Sequence, residues 1–80
     1  MESRLNVDMY YVQSLEERLI EYLAKCLEID WRKSMDIYYK SRLCRQIENR
    51  EYGIENMDFK YLAEDLIENE RDLIDRELAG

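Results

Sequence analysis

Carboxylates are the main chemical resource of this sequence. Glu64, Asp65 and Glu68 lie in "YLAEDLIENE", and Glu64 and Glu68 fall one helical turn apart. That is the spacing at which two carboxylates can hold a hard cation. With 19 acids among 80 residues, such pairs arise by chance, and the solvated face of an amphipathic helix is the better account. Neither a metal nor a cofactor is expected. The chain has no histidine, so no Ser–His or Cys–His nucleophile can be assembled. Gly53 and Gly80 are the only glycines, which excludes a glycine-rich phosphate loop. Cys26 and Cys44 both sit among apolar positions and read as reduced core thiols, with a disulfide between them as the lesser alternative. The sequence therefore predicts no catalytic residues and no enzyme.

Other residue types point to binding. The net charge is −7, but Arg32, Lys33, Lys40, Arg42, Arg45 and Arg50 crowd the middle of the chain against Asp36 and Glu48 alone. A basic segment between two acidic arms either pairs with those arms or forms a charge-patterned docking surface. Lys40, Arg42, Arg45 and Arg50 also admit a DNA-binding reading, against which the acidity of the whole chain counts. An acidic nucleic-acid mimic is the converse alternative. Seven tyrosines and one tryptophan either fill a shallow core with their hydroxyls at the surface or form a half-wet interface.

The elements that must position these residues are helical. "SLEE" has a capping-box pattern, Ser14 with Glu17, and Leu15, Leu19, Tyr22, Leu23, Cys26 and Leu27 then form an apolar stripe. The first helix is predicted to start at Ser14, or alternatively near Asp8, and to end near Glu28 or Ile29. Asp30 is a plausible cap for "WRKSMDIYYK", with Trp31, Met35, Tyr38 and Tyr39 on one face. Ser41 is a second cap, and a break or kink there is favoured over one continuous helix. Gly53 then supplies a residue that tolerates positive φ, ending a helix near Tyr52 and reversing the chain. Asn56 or Asp58 caps a last helix that continues into the 70s and overhangs the core, with Phe59, Leu62 and Leu66 buried. Together these predict an all-α bundle of three or four helices in one domain, residues 1–80. Its terminal helices are long, its middle helices short, residues 1–7 loose and 75–80 open to fraying. No run of apolar residues is long enough to span a membrane and no apolar leader is visible, so the expected compartment is the cytoplasm.

The segments "AKCLEIDWRKSMDIYYKSRLCRQIE" and "YGIENMDFKYLAEDLIENE" resemble a family of short uncharacterised bacterial helical proteins. That family carries (A/S)-M-D-x-Y-Y-x-S, then Y-G-I, then a motif like Y-L-x-E-D-L. The matching residues are Ser34, Met35, Asp36, Tyr38, Tyr39, Ser41, Tyr52, Gly53, Ile54, Tyr61, Leu62, Glu64, Asp65 and Leu66. The pattern covers roughly residues 15 to 70. Members are often encoded beside ADP-ribosyltransferase-like toxin genes, which implies an antitoxin-like partner role. No catalytic residues are implied.

The expected function is thus a non-catalytic protein-binding module. Its expected partner is a protein, which the resemblance implies is a neighbouring toxin, with self-association as an option. The expected interface is an acidic strip, Glu64, Asp65, Glu68 and Asp72, with Leu73, Ile74 and Leu78 as apolar anchors. Tyr38 and Tyr39 are the alternative surface.

Overall fold

In the computed structural model the backbone is described for residues 2–79, and side chains for residues 11–54 and 56–79. Among the described residues there are five α-helices and one 3-10 segment: α1 (Glu2–Leu27), α2 (Trp31–Lys40), α3 (Arg42–Glu48), the 3-10 segment (Glu51–Asn56), α4 (Phe59–Asn69) and α5 (Arg71–Ala79). There is no strand among the described residues. The fold is all-α, but the expected three or four helices with a long one at each end are corrected: only α1 is long. The expectation for residues 1–7 falls on side chains outside the described ones.

α1 passes through both Asp8 and Ser14, so neither starts it. No glycine or proline interrupts residues 2–27, and Val12, Leu15, Leu19, Ile20 and Leu23 give it a continuous buried face. Nothing favours a cap over another helical turn at Ser14. The C-terminus is closed without glycine. Glu28 takes a left-handed φ of 56°. Its N–H donates to the Lys25 carbonyl (3.3 Å) and the Ile29 N–H to the Ala24 carbonyl (3.0 Å), which is the Schellman pattern. Cys26, expected in the core, is exposed, whereas Cys44 is buried; both are free thiols.

Asp30 caps α2 as expected, accepting from the Lys33 N–H at 2.7 Å. The break at Ser41 is also present. Ser41 is extended (φ −82°, ψ 157°) and ends α2 and begins α3 at once. Its N–H donates to the Tyr38 carbonyl (3.0 Å), and its Oγ accepts from the Cys44 N–H (3.1 Å). The two other leading donors of α3 are met from a distance: Glu70 accepts from the Arg42 N–H at 2.9 Å and the Leu43 N–H at 3.1 Å. Three of the N–H groups that a helix start leaves unpaired are thereby satisfied.

α3 stops at Glu48, not near Tyr52. Arg50 (φ 53°), Tyr52 (φ 56°) and Gly53 (φ 68°) all adopt left-handed conformations. Gly53 therefore has the positive φ expected of it, but inside the 3-10 segment and not as the first residue past a helix. A Cβ there would meet only the Asn56 Nδ2 at 3.9 Å, so the requirement for glycine is conformational. Ile54 packs back on the core, and Asp58 caps α4 by accepting from the Lys60 N–H (3.2 Å).

The expected long last helix is broken at Glu70 (φ −124°, ψ 42°). Its N–H closes α4 on the Leu66 carbonyl (2.8 Å), and its own carbonyl accepts from Leu73 and Ile74 to open α5. The side chain caps α3, so the backbone bends where that side chain is needed. α5 then packs on α2, and no overhanging apolar edge forms. α1 packs mainly on α4 and α2. The fully buried centre includes Leu19, Leu23, Ile37, Tyr38, Leu43, Ile47, Leu62 and Leu66.

Candidate binding groove and a buried polar cluster

The structure separates the expected interface residues. Ile74 is 3% exposed and Tyr38 is 0% exposed. Both are core residues and are corrected as such. Leu73 is half-buried against the core. Burial of Ile74 follows from the bend at Glu70, which lays α5 against the bundle. Leu78 and Tyr39 remain exposed, as do Glu64, Glu68 and Asp72, while Asp65 is half-buried. The acidic residues do not share one helix: Asp72 lies beyond the break. Glu64 accepts from the Tyr22 hydroxyl (3.1 Å), and Asp65 accepts from the Asn69 amide. The expected inward face of α2 is also shifted. Trp31 is 50% and Tyr39 52% exposed, and Ser34, Ile37 and Tyr38 are buried instead. A row at four-residue steps drifts off a straight helix face, and the Ser34 hydroxyl settles the orientation by donating to the Ile20 carbonyl (2.7 Å).

Two of the basic residues in the middle segment are taken up internally. Lys40 pairs with Glu77 (3.1 Å) and Arg42 with Glu70 (3.7 Å). The C-terminal acidic arm thus pairs with part of the segment on which a DNA-binding reading rests, although both basic side chains stay largely exposed.

A groove that the sequence did not announce runs along the α1–α4 seam. One shallow hollow of about 270 Å³ is walled by Tyr11, Ser14 and Arg18 of α1 and by Met57 and Phe59. A second, of about 300 Å³, continues past Arg18 and Phe59 to Glu21, Tyr22, Lys25 and Lys60, and Asp58 adds a second acid at the first hollow. Tyr22 meets Phe59 edge-to-face, with ring centroids 5.9 Å apart, and this contact forms the floor. Tyr11 and Met57 are exposed at the rim. Arg18, Lys25 and Lys60 make no ion pair among the described residues. Aromatic and thioether surface beside unpaired cations can seat an acidic segment carrying apolar side chains. Arg18 was invisible as a site residue in the sequence, because its neighbours across the groove lie some forty positions away.

The second unannounced feature lies between α1 and the α2–α3 pair. Glu16 is 5% exposed. The Tyr38 hydroxyl donates to its Oε2 at 2.8 Å. Cys44 and Glu48, one turn apart on α3, bring a thiol and a carboxylate to the same point, and one donor atom from each of Glu16, Cys44 and Glu48 lies within 4.8 Å of the others. Burial raises the Glu16 pKa, opposed by the Tyr38 hydrogen bond and reinforced by Glu48. Burial, then the hydrogen bond to Glu16, pushes the Tyr38 hydroxyl up. Burial, then the charge of Glu48, pushes the Cys44 thiol up to about 12. Such a thiol is protonated at neutral pH and is no nucleophile by itself. The only hint in the sequence is the four-residue spacing of Cys44 and Glu48, since Glu16 lies 28 positions before Cys44.

The chain matches no protein-family model, and no curated protein or solved structure is significantly similar to it.

Proposed function

We propose that the protein is a non-catalytic binding module for a protein partner, working through the α1–α4 groove. By its resemblance to the short helical proteins encoded beside toxin genes, the partner is an ADP-ribosyltransferase-like toxin, and the module acts as its antitoxin. The observation that carries the reading is the groove: Arg18, Lys25 and Lys60, which make no ion pair among the described residues, outnumber its acids Glu21 and Asp58 and lie beside Tyr11, Met57 and Phe59, on a chain of net charge −7. A local cationic hollow on an acidic protein selects an acidic segment and orients its approach, while the aromatic floor supplies the apolar contact that charge alone lacks. This reading replaces the acidic strip as the interface, because the strip's central anchor, Ile74, is in the core.

The test is co-expression with the product of the neighbouring gene, followed by size-exclusion chromatography and titration calorimetry. A one-to-one complex is expected. Arg18→Glu, and separately Tyr11→Ala with Met57→Ser, are expected to weaken it about tenfold or more, equivalent to about 1.4 kcal/mol. Glu68→Lys with Asp72→Lys is expected to leave it unchanged. The reverse pattern would move the interface to the acidic face. Salt-sensitive retention on DNA, lost in Arg42→Glu with Arg45→Glu, would favour a nucleic-acid-linked regulator instead.

A further inference from the structure

We propose that Glu16, Cys44 and Glu48 form a binding site for a single divalent transition cation of the zinc type. Four observations converge on this cluster, and the binding groove uses none of its residues.

The donors are suited in kind and place. Cys44 and Glu48 project from one face of α3 at a four-residue spacing, so their side chains reach the same point. Glu16 faces them from α1. A thiolate selects zinc-like ions over magnesium or calcium, and two carboxylates complete a mixed sulfur–oxygen set. A tetrahedral zinc site separates its donor atoms by roughly 3.3–3.8 Å. The three donors already lie within 4.8 Å of one another. Closing on an ion takes movements of roughly 1 Å, and Glu48, exposed at the rim, has room to make them.

The placement of Glu16 also suits a cation. It is buried, yet it has no ion-pair partner among the described residues. Its Oε2 is held by Tyr38, and Glu48 is the other side chain within hydrogen-bonding reach of its carboxyl group. A buried carboxyl group either holds its proton or, once ionised, pairs with a cation or coordinates a metal. The Tyr38 hydroxyl stands where an outer-shell donor would stand, fixing the carboxylate so that the other oxygen is presented.

Access and charge also fit. A hollow of about 240 Å³ lined by Val12, Gln13, Glu16, Glu48 and Arg50 opens two of the donors to solvent, which leaves room for a fourth ligand such as water. When the ion binds, the thiol gives its proton to solvent and the sulfur–metal bond forms, as coordinating thiols do. Two carboxylates and a thiolate against a divalent ion leave one negative charge, and Arg50, which lines the same hollow, is a cation near enough to offset it.

The experiment titrates the reduced, full-length protein with Co²⁺, a spectroscopic stand-in for Zn²⁺. A sulfur-to-cobalt charge-transfer band saturating at one equivalent and displaced by Zn²⁺ is expected. Cys26→Ser should keep the band. Cys44→Ser should abolish it, and Glu48→Gln should weaken binding about tenfold or more. Because Glu48 is exposed, its variant is expected to keep the parent circular dichroism, so the test survives a Cys44 variant that fails to fold. Absence of the band in the parent protein would overturn the site. So would a band that follows Cys26, or one that Glu48→Gln leaves unchanged.

Discussion

Two tyrosine–glutamate hydrogen bonds tie α1 to the rest of the bundle, and the same chemical pair does different things in the two places. On the α2 side, Tyr38 donates to Glu16 at 2.8 Å inside the core. On the α4 side, Tyr22 donates to Glu64 at 3.1 Å in contact with solvent. Water competes for the second pair and not for the first. At the buried seam the bond holds a carboxylate that has no ion-pair partner among the described residues, so losing it would strand a buried acceptor. At the open seam, water replaces whatever is lost, and the aromatic surface stays available to a partner. The difference shows that hydrogen-bond chemistry is cheap to write into a sequence, whereas burial sets what the bond is worth.

The comparison breaks most directly at Tyr38. Tyr38→Phe removes the donor and keeps the ring, and should cost about 1–3 kcal/mol in urea unfolding, since Glu16 is left without its hydrogen bond. A loss near zero would mean that water or a proton satisfies Glu16 as well as tyrosine does. Glu70 sharpens the scale from an intermediate position, since its side chain is 9% exposed and caps α3 from across the bundle. Glu70→Ala should cost about 1–2 kcal/mol, the upper range for a lost helix cap. Gly53→Ala provides a backbone benchmark. With φ at 68° and only one ordinary contact for the new Cβ, the cost should be about 1 kcal/mol. Tyr22→Phe comes last, with a urea midpoint close to that of the parent, as for most surface substitutions. If Tyr22→Phe and Tyr38→Phe proved equal, burial would not be what separates the two seams.

Alkaline titration probes the same contrast without mutation. Cys26 first, then Glu64, raise the Tyr22 hydroxyl to about 12. Burial, then the bond to Glu16, raises Tyr38. In each case the folded state keeps a proton that the unfolded state releases near pH 10. This stabilisation is therefore complete below about pH 10 and is lost as pH rises through the folded values. Tyrosinate absorbance should show both hydroxyls titrating late in the folded protein. Tyr38→Phe should flatten the alkaline fall in stability.

Several local features were legible in the sequence. Asp30, Ser41 and Asp58 cap helices where their short polar side chains reach backbone donors two or three residues on. Gly53 occurs at positive φ, and the stripe Leu15–Leu19–Leu23 marks the buried face of α1. Local signals fail where the partner is remote. The Ser14–Glu17 pattern looks like a helix start, but α1 runs through it. Glu28 closes α1 in a conformation that ordinarily signals itself by glycine.

What the sequence determined by itself was therefore the helical class, most of the caps, the turn at Gly53 and the apolar stripes, because each depends on residues within about one or two turns of each other. Tertiary structure alone decided the rest. It bent the chain at Glu70 so that a carboxylate could cap α3, and it drew Ile74 and Tyr38 into the core. It turned Trp31 and Tyr39 outward, and placed Glu16 against Cys44 and Glu48. The physical reason is clearest at Glu70 and Glu16. An orphaned backbone N–H or a buried carboxylate must be satisfied by whatever the packed bundle brings near, and the residues that satisfy it here lie 22 to 28 positions away along the chain.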